Sequence, residues 1–325
     1  MSIPLYLVAD IGGTNARFAL LDQRGVRSAQ LTLRVADHPD ITGAIDTAMR
    51  VFAPAGRVEV AVLAVAGPVN GNEALLTNSD WHICGQALKK QFGWRDVRLC
   101  NDFEAVAYGV CQTGVTHRRI GGAEQGAGGY PCAVIGPGTG FGVANILRGP
   151  SGWQVLASEG GHGRFAPITE QDVNILQLLR RKLKGVQRED LLSGRGLCNL
   201  YGVLAEIHGK EVVALADPSA ITAMALRDRA SFSAEVLNVF CGILGAVAAD
   251  IALDLGSRGG VYIAGGMAPR FADFLVASSF RNRFEDHPVF GHYLRQIPTF
   301  LVASEEPGLL GAEYLLRQIL IDDYA

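Results

Sequence analysis

The 325-residue chain has no C-x-x-C pair among its six cysteines, no surplus of either charge, and no uncharged run long enough to cross a membrane. Each absence removes a class of function. Cys84, Cys100, Cys111, Cys132, Cys198 and Cys241 are scattered and mostly keep apolar company. Structural zinc and a disulfide framework are therefore disfavoured, and buried thiols in a reducing cytosol are expected. With 29 basic against 32 acidic residues, mixed along the chain, the net charge is -3. That leaves no electrostatic footprint for nucleic acid, and small solutes are the expected partners. No basic stretch precedes the apolar segment 3–9, which Asp10 ends, so this segment reads as a first strand and not as a signal peptide. Also missing are G-x-x-x-x-G-K-[ST], G-x-G-x-x-G, H-R-D and G-x-S-x-G. The simplest P-loop, Rossmann, protein-kinase and hydrolase readings go with them. H-E-x-x-H is absent too, which leaves His162 without a close metal co-ligand.

What is present is a globular composition, 49% hydrophobic and 19% charged, on a chain long enough for two domains and a cleft. Its most informative stretch is Leu7-Val8-Ala9-Asp10-Ile11-Gly12-Gly13-Thr14-Asn15-Ala16-Arg17, an apolar strand that meets a carboxylate and a Gly-Gly-Thr turn before a second apolar run. Glycines let backbone N–H groups approach a phosphate, and Asp10 is placed to hold magnesium, usually through water. An ordinary hairpin bend reads equally well from these residues alone. Alternating residues over 26–35 continue as a third strand, a helix follows at 41–52, and 58–65 is a nearly continuous apolar strand. Helix 85–92 and strand 97–100 complete a βββαβαβ order, suited to a mixed sheet covered on both faces.

The pattern then returns. Strands are expected at 132–135, 141–147 and 153–157, with Gly136-Pro137-Gly138-Thr139-Gly140 as the first turn. This internal echo of the opening is what two related domains would show, each with its own phosphate turn. Helices are expected at 170–183, 196–207, 219–227, 232–255 and 309–320, and strands at 261–264 and 299–303. The segment 112–130, with six glycines, reads as a crossover.

Two further groups bear chemistry. Asn101-Asp102 follows a strand and precedes a helix at 104–110, the carboxyl-end position where open α/β sheets bind ligands. Asp102 can take a proton from a bound hydroxyl there, while a plain helix N-cap explains the same two residues. The loop Ser158-Glu159-Gly160-Gly161-His162-Gly163 joins a carboxylate and an imidazole to three glycines, a composition that suits neighbouring hydroxyls of a polyol. Its competing reading is a solvated loop. The turn Ala264-Gly265-Gly266-Met267-Ala268-Pro269 completes a set that fits a sugar kinase.

With these pieces in order, the chain resembles the bacterial glucokinase family of the hexokinase and actin-like ATPase superfamily over nearly its full length. The resemblance rests on the 10–17 block, Asn101-Asp102-Phe103, Gly136 to Gly142, Glu159-Gly160-Gly161-His162, Leu192-Ser193-Gly194 and Ile263-Ala264-Gly265-Gly266. Gly163-Arg164-Phe165-Ala166-Pro167 stands where the zinc-containing repressor and sugar-kinase branch has its cysteines, so zinc is not implied. The resemblance implies a two-domain α/β actin-like ATPase (ribonuclease H-like) fold, a smaller domain of 1–112 plus 303–325 and a larger one of 113–302. It implies transfer of the γ-phosphoryl group of MgATP to the 6-hydroxyl of D-glucose, a cytoplasmic step that feeds glycolysis, in an enzyme of homodimeric type. Asp102 would be the general base, and Asn101, Glu159, His162 and Glu189 would bind the other hydroxyls. Ala9, Asp10, Ile11, Gly12, Gly13 and Thr14, with Gly138, Thr139 and Gly140, would hold the ATP phosphates. Asp10 would lie by the Mg2+, and Gly265 and Gly266 by the adenosine. Glu189 is assigned through the adjacent Leu-Leu-Ser-Gly block, since Arg188-Glu189-Asp190 also reads as an exposed charged helix start. Mannose, fructose or an N-acetylated hexosamine are the rival acceptors. A non-catalytic sugar-responsive regulator is expected to need a helix-turn-helix, for which the early first strand leaves no room. An actin-like ATPase with a protein partner gives the loop of Glu159 and His162 no use.

Overall fold

The computed structural model describes residues 3–76, 79–112, 115–149, 152–211, 217–304 and 306–322. They form two compact units, Met1–Val115 with Ser304–Ala325, and Thr116–Ala303.

In the first unit β1 (Pro4–Ile11), β2 (Asn15–Leu21) and β3 (Arg27–Arg34) make an antiparallel meander. Helix α1 (Ile41–Phe52) leads to β4 (Arg57–Val65), which pairs parallel with β1. A separate small sheet of β5 (Val69–Asn70), β6 (Glu73–Leu75) and β7 (His82–Cys84) precedes α2 (Gly85–Phe92). Strand β8 (Asp96–Asn101) then joins β4 in parallel, and α3 (Asp102–Val110) follows at once. The main sheet runs β3-β2-β1-β4-β8. Its period-2 pattern sorts side chains cleanly between two cores: Leu7, Ala9 and Ile11 pack with α1, while Tyr6 and Val8 face the opposite cluster. Burial on both faces is why the β4 sequence is continuously apolar after its first residues.

The second unit repeats this plan. It contains β9 (His117–Gly121), β10 (Cys132–Pro137), β11 (Phe141–Gly149) and β12 (Gly152–Ser158), followed by α4 (Glu170–Leu179) and α5 (Gly194–Ile207). Next come α6 (Pro218–Arg227), α7 (Phe232–Leu255), β13 (Gly260–Ile263), α8 (Ala272–Ala277), α9 (Phe280–Glu285), α10 (Gly291–Gln296) and β14 (Thr299–Val302). The sheet order β12-β11-β10-β13-β14 has the connectivity of the first sheet, with β9 added at the edge. Helix α7 is long and apolar enough to cross a membrane by length and composition, but 78% of its most apolar window is buried in the unit. It is apolar all round because it is the core helix, packed among Ile135, Phe271 and Phe280.

The terminal helix α11 (Pro307–Asp322) returns to the first unit and covers the face that bears Tyr6 and Val8.

Several boundaries move for identifiable reasons. Helix α4 stops at Leu179, short of 183, because its last turn tightens into bonds from Arg181 to Leu178 and from Lys182 to Leu179. Helices α5 and α6 start earlier than expected, at their Ser193 and Asp217 caps. The 112–130 crossover contains a strand, β9. Pro150 and Ser151, between the strands expected at 141–147 and 153–157, lie outside the described residues. All six cysteines are free, but only Cys100 and Cys241 are buried. Cys84, Cys111, Cys132 and Cys198 are partly exposed, which corrects the expectation of six buried thiols.

Helices α3 and α11 meet backbone to backbone. A Cβ placed on Gly311 would lie 1.7 Å from the Ala105 carbonyl oxygen, and one on Gly109 would lie 1.9 Å from that of Pro307. Alanine is favoured over glycine in a helix by about 1 kcal/mol. Forcing the two backbones apart costs about 1–3 kcal/mol or more, so the crossing decides the sign. Gly311→Ala is expected to lower the urea midpoint of unfolding, and a raised midpoint would show that the helices are not held in contact there.

Candidate active site

Within the first unit the register puts the expected groups on one edge. Ile11 pairs with Val65 and Val65 with Asn101, so the Gly12-Gly13-Thr14 turn and the Asn101-Asp102 junction leave the same carboxyl end of the sheet. Two strand spacings separate them, about 10 Å. The turn is closed by the Gly12 N–H donating to the Asn15 carbonyl at 2.9 Å, with Thr14 exposed at its tip. Ala9 and Ile11 are fully buried. Their side chains support the turn, so only their backbone is available to a ligand.

Asp10 is the ionisable group of this turn. Its side chain is 18% exposed and its carboxylate stands 3.5 Å from the Arg17 guanidinium, its cross-strand partner. Burial raises its pKa, Arg17 offsets part of that rise, and Glu306 adds to it. The first turn of α11 lies against it: a Cβ on Gly308 would come within 2.9 Å of the Asp10 Cγ. Among the described residues no three His, Cys, Asp or Glu side chains gather into a metal cage. A single carboxylate beside a glycine turn fits a magnesium ion that keeps most of its waters.

Of the two readings of Asn101, the helix cap is the one its contacts show. Its side-chain oxygen caps α3, accepting from Phe103 N–H at 2.9 Å and Glu104 N–H at 3.1 Å, while its amide nitrogen donates to the Gly67 carbonyl at 3.0 Å. One N–H of the amide is left for a ligand. The Glu104 carboxylate hydrogen-bonds back to the Asn101 backbone, a reciprocal capping pair, and burial raises its pKa. Asp102 is therefore the first helical residue, with its Oδ1 accepting from the Phe103 N–H at 2.8 Å. The neighbouring Cys100 thiol is pushed up in pKa by burial and by Glu104, so it packs as a hydrophobe and is no nucleophile.

In the second unit the Gly138-Thr139-Gly140 turn is closed by the Gly138 N–H donating to the Gly140 carbonyl at 2.9 Å. The Gly194 N–H at the start of α5 donates to the Gly138 carbonyl at 2.9 Å, and Met267 N–H donates to that of Pro137 at 3.3 Å. Gly265, at φ +86°, turns the chain after β13 so that it passes beside the first turn. These segments border a cavity of about 730 Å³ lined by Gly138, Thr139 and Gly266. Arg195, Ser219 and Arg270 also line it and were not foreseen. The Asp217-Pro218 start of α6 announces the helix, but nothing local says that the helix walls a cavity.

Glu159 precedes, and His162 ends, a short 3-10 turn, Gly160–His162, that follows β12. Their side chains are 68% and 52% exposed, with His162 Nε2 3.9 Å from Glu159 Oε2. Glu189 is placed otherwise than a solvated helix start would be. It lies in the turn Arg188–Asp190 and its Oε2 accepts from the Phe141 N–H at 2.9 Å, so its carboxylate is seated on the second glycine hairpin.

A family model for glucokinase matches residues 7–319. The glucokinase of Citrobacter koseri is 41% identical over 318 residues, 97% of each chain. The chain belongs to the glucokinase family. Its fold matches a crystal structure of glucokinase from an Antarctic psychrotroph, with a TM-score of 0.83 and 35% identity over 97% of this chain and 99% of that one. It also matches that of a ROK family glucokinase from Streptomyces griseus, solved in complex with glucose and AMPPNP, with a TM-score of 0.65 and 23% identity over 97% of this chain and 99% of that one. The latter likeness concerns the actin-like fold that the glucokinase family shares.

A buried carboxylate whose pKa is raised costs stability when ionised, above its unfolded-state pKa, and that cost fades as pH falls through the folded-state value. Asp10→Asn is therefore expected to raise the melting temperature of the ligand-free protein at pH 7, with the difference shrinking toward pH 4. A lower melting temperature would mean that the pair with Arg17 outweighs the burial.

Proposed function

We propose that the chain transfers the terminal phosphoryl group of ATP, as its magnesium complex, to the 6-hydroxyl of D-glucose, giving glucose 6-phosphate and ADP. One observation carries the reading: the glucokinase match spans 7–319 and so takes in both glycine hairpins, Asn101-Asp102 and the 159–162 loop. Glucose phosphorylation by ATP is the activity of the family at this identity and coverage. The free cysteines and the balanced charge support a reducing, cytoplasmic setting with small solutes as ligands.

The residue roles follow from the chemistry. In phosphoryl transfer the protein chiefly positions the partners and stabilises charge. Asp102, held at the first position of α3, accepts the proton of the 6-hydroxyl as O6 attacks phosphorus. Asn101 offers its remaining N–H to a neighbouring sugar oxygen. Glu159 and His162 receive two further hydroxyls, and Glu189 contributes the oxygen it does not spend on Phe141. The backbone N–H groups of 13–14 and 139–140 face phosphate oxygens, with Gly12 and Gly138 closing the two turns, and the cavity beside Gly266 takes the adenosine. Magnesium, when bound, neutralises charge on the β- and γ-phosphates, with Asp10 to hold its waters. A wrong epimer leaves a buried polar group unpaired, at about 1–3 kcal/mol for each.

Asp102→Ala is expected to lower kcat by about 10²-fold or more while glucose still binds. Near-normal turnover would remove Asp102 from the reaction. A coupled assay of ADP release against glucose, mannose, fructose and N-acetylglucosamine is expected to favour glucose, and equal rates on all four would overturn the acceptor.

A further inference from the structure

The segment that carries Glu189 makes three contacts with three successive side chains. Glu189 holds the Phe141 N–H, the Arg188 guanidinium donates to the Gly160 carbonyl at 3.3 Å, and Gln187 Oε1 stands 2.8 Å from His162 Nδ1. Gln187 belongs to none of the family motifs quoted above, yet its backbone is clamped. Its N–H donates to Asp190 Oδ2 at 2.9 Å and its carbonyl accepts from Asp190 N–H at 3.1 Å. Gln187 also bridges Arg164, and the next N–H, that of Arg188, donates to Gly163 at 2.8 Å. The side chain is thus aimed at the imidazole from a fixed base.

We propose that Gln187 is a positioning residue that sets the tautomer of His162, and so makes the loop a double acceptor for two sugar hydroxyls. An amide oxygen only accepts, so the proton of the neutral ring sits on Nδ1 and Nε2 keeps its lone pair. An unconstrained imidazole in water favours the opposite tautomer. Nε2 is 3.9 Å from Glu159 Oε2, too far for a hydrogen bond, so the two acceptors do not satisfy each other. Both are open to solvent, and a ligand that offers two neighbouring O–H donors meets both. With Nε2–H the ring would instead turn its donor toward Glu159, and one sugar hydroxyl would lose its acceptor. The inference rests on the proposed sugar-binding role of His162 and adds the device that gives this ring its polarity.

The test reads the ring directly. In the 15N-labelled ligand-free protein, with the seven histidines assigned by a His162→Gln control, His162 is expected to show protonated Nδ1 and bare Nε2. Gln187→Leu should move it toward the Nε2–H form and raise the KM for glucose about tenfold, the scale of one misdirected hydrogen bond. The KM for ATP should stay the same and kcat should change little. Gln187→Glu, which still presents an acceptor, should keep the wild-type tautomer. An Nε2–H ring in the wild type, or a ring indifferent to Gln187→Leu, would overturn the proposal whatever the kinetics. A changed tautomer with an unchanged KM for glucose would overturn it at the other end, by removing His162 from the sugar site.

Discussion

The cap that Asn101 places on α3 is the constraint from which the proposed chemistry follows. By accepting from two N–H groups of the first turn and donating to Gly67, this one amide fixes where strand β8 ends and where the helix begins. Asp102 is then the first residue of the helix and no longer a loop side chain. Its carboxylate sits in the first turn, where it accepts from the Phe103 N–H and the helix dipole favours negative charge, a setting suited to the base proposed above. Helix α3 is itself held by α11 at a crossing too close for any side chain on Gly311. The placing of Asp102 therefore leans on a backbone contact within one turn of it, at Ala105.

The same economy shapes the two glycine turns. In both units an antiparallel hairpin begins a sheet whose next strand runs parallel to its first, so that the turn and the later strand end emerge side by side. One topology, used twice, puts a glycine turn beside Asn101-Asp102 in the first unit and beside Gly265-Gly266 in the second. Asp10 bears a cost for its position. It is buried against α11 and only partly compensated by Arg17.

Much of this was legible in the sequence, and the rest was hidden for physical reasons. The hairpins showed because apolar runs of period 2 were broken by glycine turns, and α1 and α2 because their apolar faces recur at helical spacing. Strand β9 was missed because its His117-Arg118-Arg119 stretch lies at a sheet edge, where only one side needs pairing and charge is tolerated. The strands β5, β6 and β7 are two or three residues long, too short for any period to register. Helices α8, α9 and α10 have six residues each and give the same difficulty. Within the site, Asp10, Asn101 and Asp102 stood out by their place at strand ends. The seating of Glu189 on Phe141, 48 residues away, and the hold of Gln187 on His162 are long-range contacts between irregular segments. Local pattern carries no trace of them.

The central claim is that one carboxylate, set by a capped helix, makes the 6-hydroxyl of glucose nucleophilic toward a phosphate held by glycine turns. The measurement that tests it most directly is a crystal structure of the protein with glucose and a non-hydrolysable ATP analogue bound together. The account predicts an Asp102 carboxylate oxygen within hydrogen-bond distance of O6, with O6 in line with the terminal phosphorus. A bound glucose whose O6 meets some other side chain, with Asp102 touching only its own helix, would contradict it.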